Sequence, residues 1–371
     1  MAPKVLLLYI SEHSGHHCAS LAIEKALSAL DPRVETININ SFNYTNPILE
    51  KVINRAYMGV VKRTPEVWDY LYDNPKVVKH TQKLRELIHR FNTGKLKALL
   101  DESKPDAIIC TQAFPCGMVA DYKKTFNLDI PIIGVLTDYA PHSYWIYNNV
   151  DRYIVPSRDT GRKLADDGVD PSRVADYGIP IDHKFIERHD TGKFCDKLGL
   201  DKDKQCLLVM GGTQGLGPIG SVIKLLDASP LDLEIVVVTG TNKKLYRWFS
   251  SKRFRKKVIV LPYADNIDEL MHAATVIITK PGGITTAEAL AVGLPMLIVS
   301  PLPGQEAMNT KFLLKEGVAI KAESPQDVLV LLEELLYNKD KLKTMSERGR
   351  LLSKPDSALN IAKLVLGLAQ R

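Results

Sequence analysis

Short apolar runs alternate with longer segments of helical periodicity along most of this chain. Apolar runs bounded by glycine, proline and polar residues are typical of buried strands in parallel sheets. Such runs occupy residues 4–10, 34–38, 106–111, 130–136 and 152–156, and then 206–210, 233–238, 258–261, 276–279 and 295–299. After the first run, apolar residues recur at helical spacing from Ala19 to Leu30. The alternation predicts an α/β protein with parallel, doubly wound sheets.

The two halves of the chain begin alike. A strand at 4–10 leads through a polar loop to a helix, and a strand at 206–210 leads through the glycine-rich loop 211–217 to a helix at 219–228. This repetition indicates two Rossmann-like domains with a ligand between them. A chain of 371 residues also exceeds what one hydrophobic core usually serves. We therefore predict an N-terminal domain over 1–180, a linker over 181–204, a C-terminal domain over 205–355 and a final amphipathic helix over 356–371.

One segment interrupts this alternation. Residues 42–100 have helical periodicity and carry the aromatic side chains of Tyr57, Trp68, Tyr70 and Tyr72. They predict a helical insertion in the first domain. The insertion is either a cap packed on the sheet or an apolar-lined entry for a lipid acceptor, and the sequence leaves both interpretations open.

The most specific pattern is the segment 277–306, IITKPGGITTAEALAVGLPMLIVSPLPGQE. Pro281, Gly282 and Gly283 break its strand, and a helical segment follows and ends at Gly293. Glycines at such a turn let the backbone approach a ligand closely, and a helix N-terminus attracts anions through its free N–H groups and its dipole. The pattern therefore predicts a diphosphate site.

Polar residues after this turn suit the sugars of a nucleotide sugar. Glu288, one turn into the helix, is placed to accept hydrogen bonds from ribose hydroxyls. Gln305 and Glu306 lie beyond the next strand, where their side chains can reach the hydroxyls of a second sugar.

A second phosphate cradle is indicated at 211–217, GGTQGLG, where Gly211, Gly212, Thr213 and Gln214 follow a strand. The loop is not the GxGxxG fingerprint, and no acidic residue follows at the distance expected for dinucleotide binding. It also lacks the GK[ST] sequence of a P-loop. The loop therefore argues against a dinucleotide and excludes a P-loop.

His16 stands where the first strand passes into its helix, at the ligand-binding edge of an open α/β sheet. A neutral histidine there can take a proton from an acceptor hydroxyl. Asp138 follows a predicted strand and is either a turn cap or a carboxylate that orients the imidazole and stabilises its protonated form. The sequence leaves open whether His16 or His17 points inward. His13, His16 and His17 lack a carboxylate partner at metal-ligand spacing, and no metal is expected.

Composition limits the function classes. Apolar residues make up 45% of the chain and charged residues 25%, as in soluble globular proteins. The five cysteines form no CxxC pair, so we expect reduced thiols and a reducing compartment. The N-terminal apolar run is too short for a signal peptide, and the sequence has no run long enough to span a bilayer. Any membrane contact is expected from outside the bilayer core.

The net charge of +6 is unevenly distributed. Eight Lys or Arg residues fall between Lys243 and Lys257, interleaved with aromatic residues. The segment is either a solvated basic helix or a surface for anionic lipid head groups, with Trp248 and Arg253 among its contacts. No recognition motif for nucleic acid accompanies it.

Several blocks of the sequence resemble glycosyltransferase family 28, in the branch of monogalactosyldiacylglycerol synthases and processive diacylglycerol glucosyltransferases. In family order, the blocks are SGHH, LTDYAPHSYWIYNNVDRYIVPS, YGIPI, LLVMGGTQGLG, LPYADNIDELM and TKPGGITTAEALAVGLPM followed by PLPGQE. They span nearly the whole chain. The resemblance implies a GT-B fold, with two Rossmann-like, doubly wound domains facing a central cleft and the C-terminal helix packed on the N-terminal domain.

The resemblance also implies an activity, the inverting and metal-independent transfer of a hexose from UDP-glucose or UDP-galactose to diacylglycerol. His16 is then the base. The donor residues implied are Gly282, Gly283 and Thr285 at the pyrophosphate with Ile284 beside them, Glu288 at the ribose, Gln305 and Glu306 at the hexose, and the backbone of Tyr263 and Ala264 at the uracil. No cofactor is implied, because the UDP-sugar is a substrate.

We thus expect a cytoplasmic enzyme that associates peripherally with the cytosolic face of a membrane, with an anionic lipid surface as a partner and no nucleic acid. Three alternatives stay open. They are a UDP-sugar epimerase on the same scaffold, a transferase that uses UDP-N-acetylglucosamine and another lipid, and a non-catalytic protein that binds sugar nucleotides. The sequence does not distinguish glucose from galactose, because Gln305 and Glu306 can satisfy axial and equatorial hydroxyls alike.

Overall fold

The structure is a computed structural model that describes residues 2–45, 93–187 and 189–370. The chain divides into two compact units. The first comprises Met1–Asp182, Pro303–Gln305 and Lys354–Arg371, and the second comprises His183–Leu302 and Glu306–Ser353. Each unit is built on its own six-stranded parallel sheet, so the predicted α/β, doubly wound fold class is confirmed.

The sheet of the first unit has buried central strands. Its strands are β1 Lys4–Tyr9, β2 Glu35–Asn40, β3 Ala107–Cys110, β4 Ile132–Val135, β5 Arg152–Ile154 and β6 Val174–Ala175, in the order β2-β1-β3-β4-β5-β6. Burial of β1, β3 and β4 explains their continuous apolar sequences. The helices are α1 Gly15–Leu30, α2 Ser41–Thr45, α3 Ala113–Phe126 and α4 Arg158–Asp166, with 3-10 turns at Ser143–Trp145 and Pro171–Arg173.

The strand order of this sheet reverses between β1 and β3. From β1 the sheet extends to β2 on one side, and from β3 it extends through β4 and β5 to β6 on the other. Open α/β sheets bind ligands at the carboxyl ends of the strands beside such a switch point. The first turn of α1, which contains His16, and the loop that begins at Thr111 both lie there.

The second unit repeats the architecture with a different strand order. Its strands are β7 Gln205–Met210, β8 Leu233–Val238, β9 Val258–Leu261, β10 Val276–Thr279, β11 Met296–Val299 and β12 Ala319–Ala322, in the order β12-β11-β10-β7-β8-β9. The switch point is between β7 and β10, where Met210 pairs with Thr279. The loops 211–217 and 280–282 therefore leave the sheet side by side.

Helices cover this second sheet. They are α5 Thr191–Leu198, α6 Ile219–Ala228, α7 Lys243–Ser250, α8 Ile267–Ala273, α9 Gly283–Val292, α10 Gln305–Lys315, α11 Pro325–Tyr337 and α12 Lys339–Leu352, with a 3-10 turn at His183–Ile186. Ile223 and Leu226 of α6 and Leu332 of α11 are fully buried in one cluster with the strands. The apolar residues at helical spacing in these segments therefore mark the helix face that packs on the sheet.

The segment 181–204, predicted as a linker, is largely built into the second unit. It contains the 3-10 turn and α5, and from His183 onward it belongs to that unit. The buried carboxylate of Asp268 fixes it, because Lys184 Nζ lies 2.7 Å and His189 Nε2 3.4 Å from its two oxygens. The boundary between the units is thus at residues 182 and 183 rather than across a free linker.

The last helix, α13 Ser357–Ala369, returns to the first unit. Ile361 and Val365 are fully buried in one cluster with Ile23 and Leu27 of α1. Ser357 Oγ donates a hydrogen bond to the carbonyl of Gly178 at 2.8 Å, which fixes the start of the helix. The apolar stripe of this helix thus packs on α1 and the sheet of the first unit.

Most of the predicted insertion, with Tyr57, Trp68, Tyr70 and Tyr72, lies outside the described residues. Its edges are α2 and the helical residues 93–103, where Leu96 and Leu100 are buried in the core of the first unit. Within the described ranges, every helix is too short or too polar to span a bilayer. All five cysteines are free thiols, and four of them are buried.

Candidate active site

The imidazole of His16 is fixed at the switch point of the first unit. Its Nδ1 lies 2.9 Å from the backbone oxygen of Thr111 and 3.0 Å from Oγ1 of Thr137. A carbonyl oxygen can only accept a hydrogen bond, so Nδ1 carries the ring proton and donates it. In the neutral ring Nε2 therefore holds the lone pair that can accept a proton.

The backbone around His16 is held as firmly as the ring. Thr111 Oγ1 donates a hydrogen bond to the carbonyl of His16 at 2.9 Å. Ser14, the N-cap of α1, accepts from the backbone N–H of His17 at 3.2 Å and donates to the carbonyl of Ile10 at 2.8 Å. These contacts fix where the first turn of the helix presents its side chains.

Sequence reasoning missed Thr111 and Thr137. Thr111 follows directly after β3, and Thr137 follows β4 after Leu136, so both lie at the carboxyl edge of the sheet. A threonine in that position, next to a switch point, was the available signal.

Burial and nearby polar groups act in opposite directions on the protonation of His16. Burial lowers the pKa of His16 below its ordinary value, while the charge of Asp138 and the hydrogen bond to Thr111 act in the opposite direction. At neutral pH the imidazole is therefore a base. Thr111 and Thr137 orient Nδ1, and Asp138 contributes charge that stabilises the imidazolium once a proton has been accepted.

The neighbouring histidine has different contacts. The ring of His17 stacks on Tyr9, with the ring centroids 4.2 Å apart and an angle of 15° between the planes. Its Nδ1 accepts a hydrogen bond from the backbone N–H of His13 at 3.3 Å. Burial lowers the pKa of His17, partly offset by the carboxylate of Glu12. Of the two histidines, His16 is the one whose ring contacts the loops at the switch point.

The helix α9 begins at the switch point of the second unit with an open N-terminus. Its N-cap is Gly282, which has no side chain to accept from the first-turn N–H groups. A Cβ atom built on Gly282 would meet nothing within 4 Å, so the space in front of this turn is open. Gly283, Ile284 and Thr285 form the first turn, and their N–H groups suit an anion.

The glycine-rich loop beside this helix is a tight turn. Leu216 N donates to Gly211 O at 2.9 Å and Gly215 N to Gly212 O at 3.0 Å. A Cβ atom on Gly211 would lie 2.1 Å from Leu216 O, so this position requires glycine. Thr213 O accepts from Thr241 N at 2.7 Å. These contacts hold the loop in a tight turn next to the N-terminus of α9.

A nearly buried ion pair lies at the same edge and was not predicted. Lys280 Nζ is 2.6 Å from Glu306 Oε1, and the two side chains are only 11% and 13% exposed. The other carboxylate oxygen of Glu306 accepts from Leu302 N at 2.7 Å. Both oxygens of Glu306, predicted to reach a hexose, therefore already have partners within the second unit. Lys280 could have been found as the residue between β10 and the Pro-Gly-Gly turn.

The other predicted donor residues lie around this edge at different distances from the switch point. Glu288 is half-buried and follows Thr285 by three residues, on the same side of α9. Gln305, also half-buried, is the first residue of α10. Tyr263 is 42% exposed and Ala264 is half-buried in the loop after β9. That loop is two strands away from β7, so it is not brought directly to the turn at Gly282.

The basic segment divides into a buried and an exposed side. Phe249 is fully buried, and Trp248 and Phe254 pack against the core of the second unit. The ring of Trp248 has the ammonium groups of Lys224 and Lys252 at 5.5 Å from its centroid. Trp248 therefore belongs to the edge of the core rather than to a free aromatic surface. Arg253 and most of the other basic side chains of the segment are exposed.

Known family models match both units of the chain. The model of monogalactosyldiacylglycerol (MGDG) synthase matches residues 16–181, and the model of the glycosyltransferase family 28 C-terminal domain matches residues 206–361. A processive diacylglycerol beta-glucosyltransferase of Bacillus mycoides (strain KBAB4) is 31% identical over 368 residues, which cover 98% of this chain and 93% of the relative. The motif resemblance is thereby confirmed.

Solved structures share the fold at lower identity. MurG of Acinetobacter baumannii has a TM-score of 0.64 at 15% identity, over 98% of this chain and 99% of MurG. A UDP-GlcNAc 2-epimerase from Neisseria meningitidis, bound to UDP-GlcNAc, has a TM-score of 0.60 at 14% identity, over 98% of this chain and 100% of the epimerase. The fold is therefore GT-B. Together with the sequence match over both units, this means that the chain is a glycosyltransferase and belongs to family 28, in the branch of monogalactosyldiacylglycerol synthases and processive diacylglycerol glucosyltransferases.

Proposed function

We propose that this enzyme transfers a hexose, glucose or galactose, from its UDP-sugar to diacylglycerol, with inversion at the anomeric carbon. The observation that carries the proposal is His16, a histidine with a fixed tautomer and a lowered pKa at the switch point of its sheet. Two further findings support it. The relative from Bacillus mycoides is named a diacylglycerol glucosyltransferase, and the epimerase of the same fold was solved with UDP-GlcNAc.

The proposed reaction is a single displacement. The hydroxyl oxygen of diacylglycerol attacks the anomeric carbon, the bond from that carbon to the diphosphate oxygen breaks, and UDP departs with the bonding electrons. Nε2 of His16 accepts the hydroxyl proton, and Asp138 stabilises the resulting imidazolium. The first turn of α9 stabilises the charge that develops on the departing diphosphate.

We propose that no metal takes part in this step. The first-turn N–H groups of α9 and nearby cationic side chains supply positive charge at the leaving group. Full activity in the presence of EDTA is the expected result. Loss of activity in EDTA that Mg²⁺ or Mn²⁺ restores would contradict it.

The membrane surface is proposed as the place of reaction, because diacylglycerol is confined to bilayers. The exposed basic residues of 243–257 supply charge for anionic head groups. The variant Arg253→Glu/Arg255→Glu is expected to be retained less on phosphatidylglycerol vesicles in a low-salt flotation assay. The matched control is Lys339→Glu/Lys343→Glu, which makes the same charge change at exposed positions of α12. Equal retention of both variants would contradict a role for this segment.

The direct test uses labelled UDP-glucose, UDP-galactose and UDP-N-acetylglucosamine, each with and without diacylglycerol in vesicles. Label in an organic-phase glycolipid, from a hexose donor and only with diacylglycerol, is the expected result. Transfer from UDP-N-acetylglucosamine alone would replace the proposed donor. Conversion of a UDP-sugar without lipid would indicate an epimerase, and UDP binding without any turnover would indicate a non-catalytic protein.

A further inference from the structure

We propose that Lys280 provides the cationic contact for the diphosphate of the donor, and that Glu306 is a positioning residue that holds Lys280 instead of a ligand of the hexose. This inference rests on the proposed function, since it assigns residues at the same donor site. It replaces the role that the sequence motif implied for Glu306.

The location of Lys280 is the first argument. It is the residue between the last position of β10, Thr279, and the turn that opens α9 at Gly282. A Cβ atom built on Gly212 would lie 3.7 Å from Cε of Lys280, an ordinary van der Waals distance. The lysine stem therefore runs along the glycine-rich loop, and its ammonium group lies at the switch point between the two loops predicted to hold phosphates.

The burial of the pair is the second argument. Lys280 and Glu306 are 11% and 13% exposed, with Nζ and Oε1 2.6 Å apart. A nearly buried ammonium group needs a counter-charge, and Glu306 supplies it. The second oxygen of Glu306 accepts from Leu302 N at 2.7 Å, so the carboxylate is fixed on both sides. Because both of its oxygens are already hydrogen-bonded, the carboxylate is better placed to orient Lys280 than to bind the hydroxyls of a sugar.

The chemistry of an ammonium group is the third argument. It carries three donors, and the bond to Glu306 uses one of them. The remaining donors can contact the oxygens of a diphosphate. Glu306 balances the charge of Lys280, so the lysine acts on the diphosphate through close, charge-assisted hydrogen bonds rather than through a net positive charge. Since the negative charge on the diphosphate grows as the sugar departs, Lys280 stabilises the transition state more than the bound donor.

The test measures binding of UDP and of uridine, which lacks the diphosphate, by titration calorimetry. Lys280→Met is expected to weaken UDP binding by ~10-fold or more, as for loss of a hydrogen bond between charged groups, and to leave uridine binding within ~2-fold. The matched control is Lys321→Met, which breaks the exposed pair between Lys321, on β12 of the same sheet, and Glu323, just after that strand. Its UDP affinity is expected to be that of the wild type.

Glu306 is tested by comparing UDP with UDP-glucose. If Glu306 acts through Lys280, Glu306→Gln changes the affinity for both ligands by the same factor, and this change disappears in a Lys280→Met background. Selective weakening of UDP-glucose would make Glu306 a hexose ligand and overturn its assignment here.

Folding of the variants is checked by thermal denaturation. Removing only the lysine leaves a nearly buried carboxylate without its counter-charge, which can destabilise the unit. The double variant Lys280→Met/Glu306→Gln removes both charges, so it is expected to fold and still bind UDP weakly. Wild-type UDP affinity in that double variant would overturn the role of Lys280 while leaving the proposed function intact. Absence of UDP binding to the wild-type enzyme would overturn both.

Discussion

In both units the chain leaves a strand at the switch point and enters a helix, but the two helices begin differently. The N-cap of α1 is Ser14, whose side chain accepts from His17 N, so a first-turn N–H group is already occupied. The N-cap of α9 is Gly282, which offers no such acceptor. One helix start therefore presents a side chain, His16, and the other presents its backbone. We propose that the helix start at the switch point serves proton transfer in the first sheet and anion binding in the second.

The charges near the two switch points follow the same division. The carboxylate of Asp138 favours the protonated form of His16 in the first unit. In the second unit the loop beside α9 carries the ammonium group of Lys280. A negative charge supports a base that becomes cationic, whereas a positive charge supports a leaving group that becomes more anionic. Four sets of substitutions test this comparison.

Replacing His16 is expected to have the largest effect. His16→Ala removes the proton acceptor, and kcat should fall by a factor of about 10²–10⁴ with little change in the Kd for UDP. Steady-state kinetics with diacylglycerol and calorimetry with UDP measure the two quantities. His17→Ala is the matched control, because its ring stacks on Tyr9 away from the Thr111 contact, and it should keep more than about a tenth of the activity. Wild-type turnover in His16→Ala would contradict the assignment of proton transfer to the start of α1.

Two glycines at the second switch point should respond differently to the same substitution. Gly211→Ala places a Cβ atom 2.1 Å from Leu216 O, and it should lower the free energy of unfolding by about 1–3 kcal/mol. Gly282→Ala meets no atom within 4 Å, and it should cost less than about 1 kcal/mol. Because its added methyl group enters the space in front of α9, UDP affinity should still fall. Thermal denaturation and UDP titration separate the two effects, and unchanged UDP affinity in folded Gly282→Ala would argue against an anion at this turn.

The charge of Asp138 should set the pH dependence of the reaction. Asp138 raises the pKa of His16, so its removal in Asp138→Asn should lower that pKa further. The activity, which is lost as His16 becomes protonated, should then persist to lower pH, and the acid limb of kcat/KM should move toward acid. At neutral pH kcat should fall by about 10-fold, because the imidazolium formed in the reaction loses its stabilising charge. An acid limb that stays in place would mean that another group controls it.

The smallest effect is expected from the hydroxyl of Thr137. Thr137→Val removes one of the two oxygen atoms near Nδ1 of His16 and leaves the carbonyl of Thr111 in place. Loss of one such contact should lower kcat by about 2–10-fold with KM for the donor unchanged. Thr137→Ser restores the oxygen and should recover the activity. A Ser variant as slow as the Val variant would point to packing of the methyl group instead of a hydrogen bond.

Much of the fold and part of the site could be predicted from the sequence. The apolar strands, the Pro-Gly-Gly turn at Gly282 and the histidine after β1 follow from patterns within one short segment. Local sequence patterns were not sufficient for 181–204, where weak patterning suggested a linker. That segment is instead fixed by Asp268, which lies far away along the chain. Trp248 was expected among the contacts of a lipid surface, but it packs against the core of the second unit.

The sequence by itself determined where strands end and helices begin, because apolar periodicity and glycine turns act over a few neighbouring residues. Only the tertiary structure decided which side chains meet at those ends. His16 and Thr111 are 95 residues apart, and Lys280 and Glu306 are 26 apart. Their contacts depend on the order and register in which distant strands pair, and no local pattern records that order. The tautomer of His16 and the partner of Lys280 are therefore properties of the tertiary structure of each unit and not of the local sequence.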